Sequence, residues 1–241
     1  MRIASWNLNH RVGKTRFRPE AVDAAVALDA DVIFFNEYFP RRHGPAFEQR
    51  LADAGWCHQI IPDEPAVTAN RTIVVSRFPV TDDPLPKPAF DDQFPPNVLA
   101  VRLPEEGLRV LAVRIPWYES PYRKLTLKSW EWLESSAMTM AHDPAIIVGD
   151  LNASPRSPPP NGGDHFRRLL GQGWTLATPA TGASYWSSKG TTSTLDHLLH
   201  TANVHVASAS FLTRTGEFQL AGSADALSDH AALVAELHTT R

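Results

Sequence analysis

Short apolar runs alternate along this chain with stretches of helical periodicity. Residues 2–6, 32–35, 72–76, 98–103, 109–113, 145–148, 195–199 and 204–212 are each too short for a core helix. Most are rich in β-branched or aromatic residues, so each predicts a strand. Four helices are predicted between them. The first runs over 19–29 with Pro19 at its first position and Val22, Ala25 and Val26 on one face. The second runs over 46–54 and stops at Gly55. The third starts at Ser120-Pro121, read as an N-cap and a first-turn proline. It carries Leu127, Trp130, Leu133, Ala137 and Met140 at helical spacing and stops at His142-Asp143-Pro144. The fourth is short, over 164–170. Residues 230–237 stay undecided: their alanines favour a helix and their placement a last strand. Alternation of this kind is the α/β signature.

Composition narrows the picture only modestly. The chain has 241 residues, of which 43% are hydrophobic, and no linker with a composition shift divides it. One α/β domain over 1–241 is therefore expected. A net charge of −3 argues against a surface wholly coated for nucleic acid. The one cysteine, Cys57, excludes an internal disulfide and makes a thiolate metal site a poor expectation. No apolar run reaches the ~18 residues a membrane span requires. The N-terminus reads as a strand and not as an export signal, so the expectation is a cytoplasmic protein without a membrane or an obligate protein partner.

Polar residues of chemical interest stand at the ends or starts of the apolar runs. Asn7 ends the first run, Glu37 follows 32–36, Arg114 follows 110–113, and Asp150 and Asn152 follow 146–149. Asp196 opens the next run and Asp229-His230 the last. In a mixed sheet the starts of antiparallel strands share an edge with the ends of their neighbours. All these groups can then meet at one edge, where α/β ligand sites form. Their chemistry is coherent. Mg²⁺ takes oxygen ligands, usually one or two carboxylates with waters and substrate phosphate. A carboxylate orients a histidine and favours its charged form, and an Asp-x-Asn pair at a strand end can position a water for in-line attack. Taken singly, each motif has a plainer reading. Asn7 and Gly149-Asp150-Leu151-Asn152 read as turns, Glu37 as solvent-exposed, Ser228-Asp229 as a helix cap, and Arg114 as a surface arginine.

The order of the motifs is more specific than any one of them. Trp6-Asn7, Asn36-Glu37, Gly149-Asp150-Leu151-Asn152, Leu195-Asp196-His197 and Ser228-Asp229-His230 follow one another over nearly the whole chain. In this the chain resembles the endonuclease/exonuclease/phosphatase superfamily. Its members include AP endonucleases, pancreatic-type deoxyribonucleases, sphingomyelinases and inositol-polyphosphate phosphatases. The resemblance implies a four-layer α/β sandwich, two facing mixed sheets flanked by helices. It implies a phosphoesterase dependent on Mg²⁺ or Mn²⁺, with Glu37 as main metal ligand and Asn7 on metal or phosphate. Asp150 would orient or deprotonate the attacking water, with Asn152 beside it. His230 would contact the scissile phosphate, held by Asp196, and Asp229 would lie near the metal. Three positions depart from the family pattern: Asn36 stands where Gln is common, His197 where nucleases often have Tyr, and Arg114 where His or Tyr is usual. Arginine cannot give up its proton but can clamp a phosphate oxygen with its fork, so Arg114 puts side-chain acid catalysis at that slot in doubt and leaves phosphate binding there as the expectation.

Two basic clusters flank the motifs: Arg11, Lys14, Arg16 and Arg18 after Asn7, and Arg41-Arg42-His43 after Glu37. Taken singly each cluster reads as a solvated loop; gathered beside two site motifs, they would attract a polyanionic substrate. Trp117-Tyr118 and Tyr185-Trp186 are candidates for stacking on bases, with core packing as the alternative. A phosphodiesterase acting on nucleic acid or a nucleotide-like diester is the leading expectation. A phosphomonoesterase or phospholipid-head hydrolase, and a catalytically weak binding protein of the same fold, remain open.

Overall fold

The computed structural model describes residues 1–9, 18–40, 43–61, 70–86 and 97–239. Most of the basic residues noted above (Arg11, Lys14, Arg16, Arg41 and Arg42) lie outside that set. Two six-stranded sheets carry the fold, beside two short two-stranded ribbons, β10 (Tyr185–Trp186) with β11 (Thr192–Ser193) and β14 (Arg214–Thr215) with β15 (Phe218–Gln219). In chain order the first contains β1 (Arg2–Asn7), β2 (Val32–Tyr38), β3 (His58–Ile60), β4 (Arg71–Ser76), β13 (Val204–Leu212) and β16 (Ala232–Thr239). Its spatial order is β13-β16-β1-β2-β4-β3. The second contains β5 (Thr81–Asp82), β6 (Val98–Leu103), β7 (Leu108–Arg114), β8 (Ala145–Asp150), β9 (Thr175–Leu176) and β12 (Asp196–His200). Its order is β5-β6-β7-β8-β12-β9. Parallel pairs β1–β2 and β7–β8 sit inside otherwise antiparallel sheets, so both are mixed.

The central strands β1, β2, β4, β7 and β8 are buried on both faces because each sheet is covered twice, while edge strands such as β3, β5 and β13 are partly exposed. Between the sheets lie Ile3, Phe34 and Val74 from one and Val101, Val110, Ile146 and Val148 from the other. On the outer face of the first sheet, Trp6, Phe35 and Ile73 pack on helices α1 (Glu20–Leu28) and α2 (Gly44–Asp53). On the outer face of the second, Leu111, Val113 and Ile147 pack on α3 (Arg123–Met140) and α4 (Gly163–Gly171). The result is the expected α/β/β/α sandwich.

Some local expectations need correction. Val26 is 42% exposed, and α1 instead buries Ala21, Val22, Ala24, Ala25 and Leu28. Leu127 is also exposed, while Trp130, Leu133, Ala137 and Met140 are buried as their spacing predicts. α3 opens at Arg123 with Tyr122 at the cap position, so Ser120-Pro121 precede it without capping it. The undecided 230–237 region resolves as β16, paired on both sides by β1 and β13. Ser228 caps no helix: its hydroxyl donates to the Asn7 carbonyl (2.6 Å) and accepts the His230 N–H (3.1 Å).

Candidate active site

The ends of β1, β2, β7 and β8 and the starts of β12 and β16 meet at one edge of the sandwich. Register places Asn7 beside Asn36 in the first sheet. In the second, Asp150 lies between Arg114 and Asp196. Two backbone features aim the groups. β2 bulges between Phe35 and Tyr38, and within the bulge Glu37 takes a left-handed φ of 55° that turns its carboxylate inward. At Gly149, φ is 136° and β8 runs so close to β7 that a Cβ would sit 2.0 Å from the Val113 carbonyl oxygen. Only glycine allows that approach, and Asp150 follows directly.

Asp150 is buried and its oxygens face three donors. Oδ2 accepts from Asn7 Nδ2 (3.0 Å) and Asn152 Nδ2 (3.1 Å), and Oδ1 accepts from the Asn152 backbone N–H (2.9 Å). Asn152 also donates to the Ile115 carbonyl (2.8 Å), which fixes its amide. Burial pushes the Asp150 carboxyl up to about 7; the nearby Asp196 and Glu37 charges act in the same sense, and His230 and Arg114 oppose it. The Asn7 oxygen accepts from the Asn9 N–H (2.9 Å), so both ends of the Asn7 amide are engaged. Asn7 therefore holds Asp150, and its oxygen keeps a second lone pair beside the one Asn9 engages.

His230 Nδ1 donates to Asp196 Oδ2 at 2.7 Å, both groups buried. Burial alone would lower the imidazole's affinity for a proton. The Asp196 charge and hydrogen bond outweigh it and raise His230 to about 9. Asp229 Oδ1 stands 4.0 Å from His230 Nε2. Arg114 Nη2 pairs with Glu37 Oε1 at 2.8 Å. Three polar bridges thus run from one sheet to the other: Asn7 to Asp150, Glu37 to Arg114, and His230 to Asp196.

Together, Asn9, Glu37, Arg114, Asp150, Asn152, Asp229 and His230 line a cleft of about 420 Å³. Asn7 and Asp196 lie beneath it, joined to Asp150 and His230 by the bonds above. Of the four aromatic candidates, Trp117 and Tyr185 reach the cleft. Trp117 is 44% exposed, and the Tyr185 ring lies 5.0 Å from that of His230. Tyr118 lies under Arg123 and Trp186 packs near Gly222, so neither serves as a platform there. His197 faces away. Its Nε2 donates to the Ala153 carbonyl (2.8 Å), so its Nδ1 accepts from the Thr178 hydroxyl (3.0 Å), and burial drives the ring down to about 4. Asn36 is a structural residue, accepting from the Thr72 hydroxyl at 2.9 Å.

Two positioning residues escaped the sequence reading. The buried Ser184 hydroxyl accepts the N–H groups of Leu195 and Asp196 (2.9 and 3.0 Å) and so anchors the start of β12. Trp6 Nε1 donates to the His230 carbonyl (3.0 Å). Only a Trp beside Asn7 and a Ser beside Tyr185 hinted at either. Glu119 also joins the rim of the cleft.

The donor set suits a hard divalent cation. Carboxyl groups in and directly beneath the cleft (Glu37, Glu119, Asp150, Asp229 and, below, Asp196) outnumber its two cationic side chains, Arg114 and His230. Among the described residues no three His, Cys, Asp or Glu side chains are grouped to close a metal shell by themselves. Mg²⁺ needs no such cage, since it keeps several waters and takes one or two carboxylates plus substrate oxygens.

A two-sheet sandwich with an acidic, arginine- and histidine-lined cleft at one sheet edge defines the class. The sequence profile of the Endonuclease/Exonuclease/phosphatase family matches residues 4–230, and the chain belongs to that family. Among curated proteins the chain has no significant match. Solved structures share the fold. A 3'-5' exonuclease from Neisseria meningitidis is 20% identical, with a TM-score of 0.72 over 99% of this chain and 100% of the other. A 3' phosphatase from Neisseria, solved with a product DNA hairpin, is 20% identical, with a TM-score of 0.73 over 98% of each chain. An AP endonuclease from Archaeoglobus fulgidus is 14% identical, with a TM-score of 0.71 over 98% of each chain. No helix among the described residues is long and apolar enough to cross a membrane.

Proposed function

We propose that this chain is a metal-dependent phosphodiesterase acting on nucleic acid or a nucleotide-like diester. One observation carries the reading. A buried carboxylate fixed by three donors (Asp150) shares a cleft with a histidine charged through a buried partner (His230 with Asp196). Asp150 is placed to orient a water and take its proton, and Asn152 and Asn7 hold its oxygens in one direction. His230, cationic at neutral pH, donates to a non-bridging phosphate oxygen and stabilises the charge that grows there. Arg114 contributes a second cationic donor, and Trp117 and Tyr185 offer flat faces beside the phosphate site. Glu37 and Asp229 are the carboxylates that would hold Mg²⁺ or Mn²⁺. When bound, the ion supplies charge neutralisation at the phosphate. A fold neighbour, the Neisseria 3' phosphatase solved bound to a product DNA hairpin, supports the nucleic-acid reading.

The test is turnover of bis-p-nitrophenyl phosphate, p-nitrophenyl phosphate, single-stranded DNA, duplex DNA and abasic DNA, with Mg²⁺, Mn²⁺ or EDTA. The expected result is metal-dependent cleavage of the diesters, abolished in Glu37→Ala. Turnover of the monoester alone would replace the reading with a phosphomonoesterase. No turnover of any substrate, with tight DNA binding, would make the chain a binding protein of this fold.

A further inference from the structure

Arg114 and Glu37 form an ion pair inside the cleft, on the carboxylate assigned above to the metal. We propose that Arg114 is the resident counter-ion of Glu37, and that a divalent cation displaces it into the cleft to become the clamp for the substrate phosphate. Metal then binds first and phosphate second. The inference rests on Glu37 being the metal carboxylate.

The two partners differ in what they can do when a cation arrives. Glu37 is held by the bulge in β2 and a left-handed φ of 55°, and its side chain is 9% exposed. Arg114 is the last residue of β7, has a long flexible side chain and is 21% exposed. A dication at Glu37 repels the guanidinium, and the guanidinium is the partner free to move. It has somewhere to go, because Arg114 lines the same cleft as Asp150, Asn152 and His230. Its Nε is buried with no hydrogen-bond partner among the described residues, which leaves an unused donor in its fork. A phosphate oxygen meets both that donor and the charge set loose from Glu37, and the fork geometry suits it better than an ammonium would. Without metal, Glu37 sequesters Arg114 and weakens the cleft for anions.

The experiment reads binding, not turnover. Mn²⁺ affinity is measured by electron paramagnetic resonance of the free ion, with and without inorganic phosphate. The proteins are wild type, Arg114→Met, Arg114→Gln, Arg114→Lys and Glu37→Gln, each checked by near-UV circular dichroism. Removing the competing charge in Arg114→Met or Arg114→Gln should tighten phosphate-free Mn²⁺ binding about tenfold, within the usual range of coupling between sites. Arg114→Lys keeps the charge and should stay near wild type. Phosphate and Mn²⁺ should tighten each other's binding in wild type, and less so in the two neutral variants. Glu37→Gln should lose Mn²⁺ but bind inorganic phosphate more tightly than metal-free wild type. Suppose Mn²⁺ binds wild type through Glu37, yet the neutral Arg114 variants bind it no more tightly. The displacement is then wrong and the metal assignment stands. If Mn²⁺ fails to bind wild type, or binds Glu37→Gln equally well, the metal assignment itself falls and the displacement with it.

Discussion

Replacing Gly149 with alanine should unfold the site from beneath. Two costs add at this position. With φ at 136°, an L side chain sits in a region almost reserved for glycine, a strain of about 1–3 kcal/mol. The new Cβ would also lie 2.0 Å from the Val113 carbonyl oxygen and 3.1 Å from Asn36 Nδ2. The first contact is impossible, so β8 must move from β7 by more than an ångström. That loosens the neighbouring ladder bonds at a net cost of about 1 kcal/mol each. Together these give a loss of about 4 kcal/mol or more, a large part of the ~5–15 kcal/mol that stabilises a typical domain. Two other glycines separate the causes. Gly107 has φ 62° with open space around it, so Gly107→Ala carries backbone strain alone, about 1 kcal/mol. Gly171, in the last turn of α4, has neither constraint, so Gly171→Ala should be neutral or stabilise by up to ~1 kcal/mol. Urea unfolding of the three variants beside wild type measures all of this. If Gly149→Ala costs no more than Gly107→Ala, β8 does not run against β7 as described, and the placement of Asp150 loses its basis.

Four further outcomes are expected. His230→Ala should lower kcat by about 10²-fold or more, and adding Asp196→Asn should cost little beyond that, because the pair acts as a unit; full additivity in a double-mutant cycle would refute the pairing. Asp150→Asn should abolish turnover and also cost about 1–3 kcal/mol in stability, since three donors face its oxygens and the new amide must point at one of them; unchanged urea stability would show those bonds are not made. His197 is held near 4 against an ordinary 6.5, so the stability it protects is complete above pH 6.5 and is lost as pH falls towards 4. That loss is about 3 kcal/mol by linkage, and its slope should shrink in His197→Gln when urea unfolding is followed between pH 4.5 and 7. Arg114→Lys should lose much of the diesterase rate despite keeping its charge, because the planar fork is gone; equal kcat/KM across phenyl esters of graded leaving-group pKa would exclude a phosphate role for Arg114.

Strands were the most legible part of the fold because two-sided burial writes them as unbroken apolar runs, as in 145–148. The same feature hid the last strand. Ala232, Leu233, Val234 and Ala235 are all buried, so no period of two marks them as β. Edge pieces such as β3 and β9 were missed because pairing, not hydrophobicity, defines them. Val26 and Leu127 were misplaced because spacing alone does not fix where an apolar stripe ends. At the site, each motif stood at a strand end, so its position on the edge could be read from the chain. Who faces whom could not. The pairing of Arg114 with Glu37, and the turning of Asn7 to Asp150, depend on how one sheet lies over the other, and no local pattern encodes that.

The three bridges across the sandwich make the site a gauge of the gap between its sheets. Each takes one partner from either side, so a slide or spread of one sheet changes all three at once. The spacer that sets the gap is apolar: Phe34, Val74, Val110 and Val148 carry no chemistry, yet their volume fixes whether Asn7 reaches Asp150. Trimming such a residue leaves a cavity that the layers partly close over. The effect would surface at the rim as misaligned carboxylates, even with every polar side chain intact. Drift in that inner layer therefore has to conserve total thickness more strictly than residue identity.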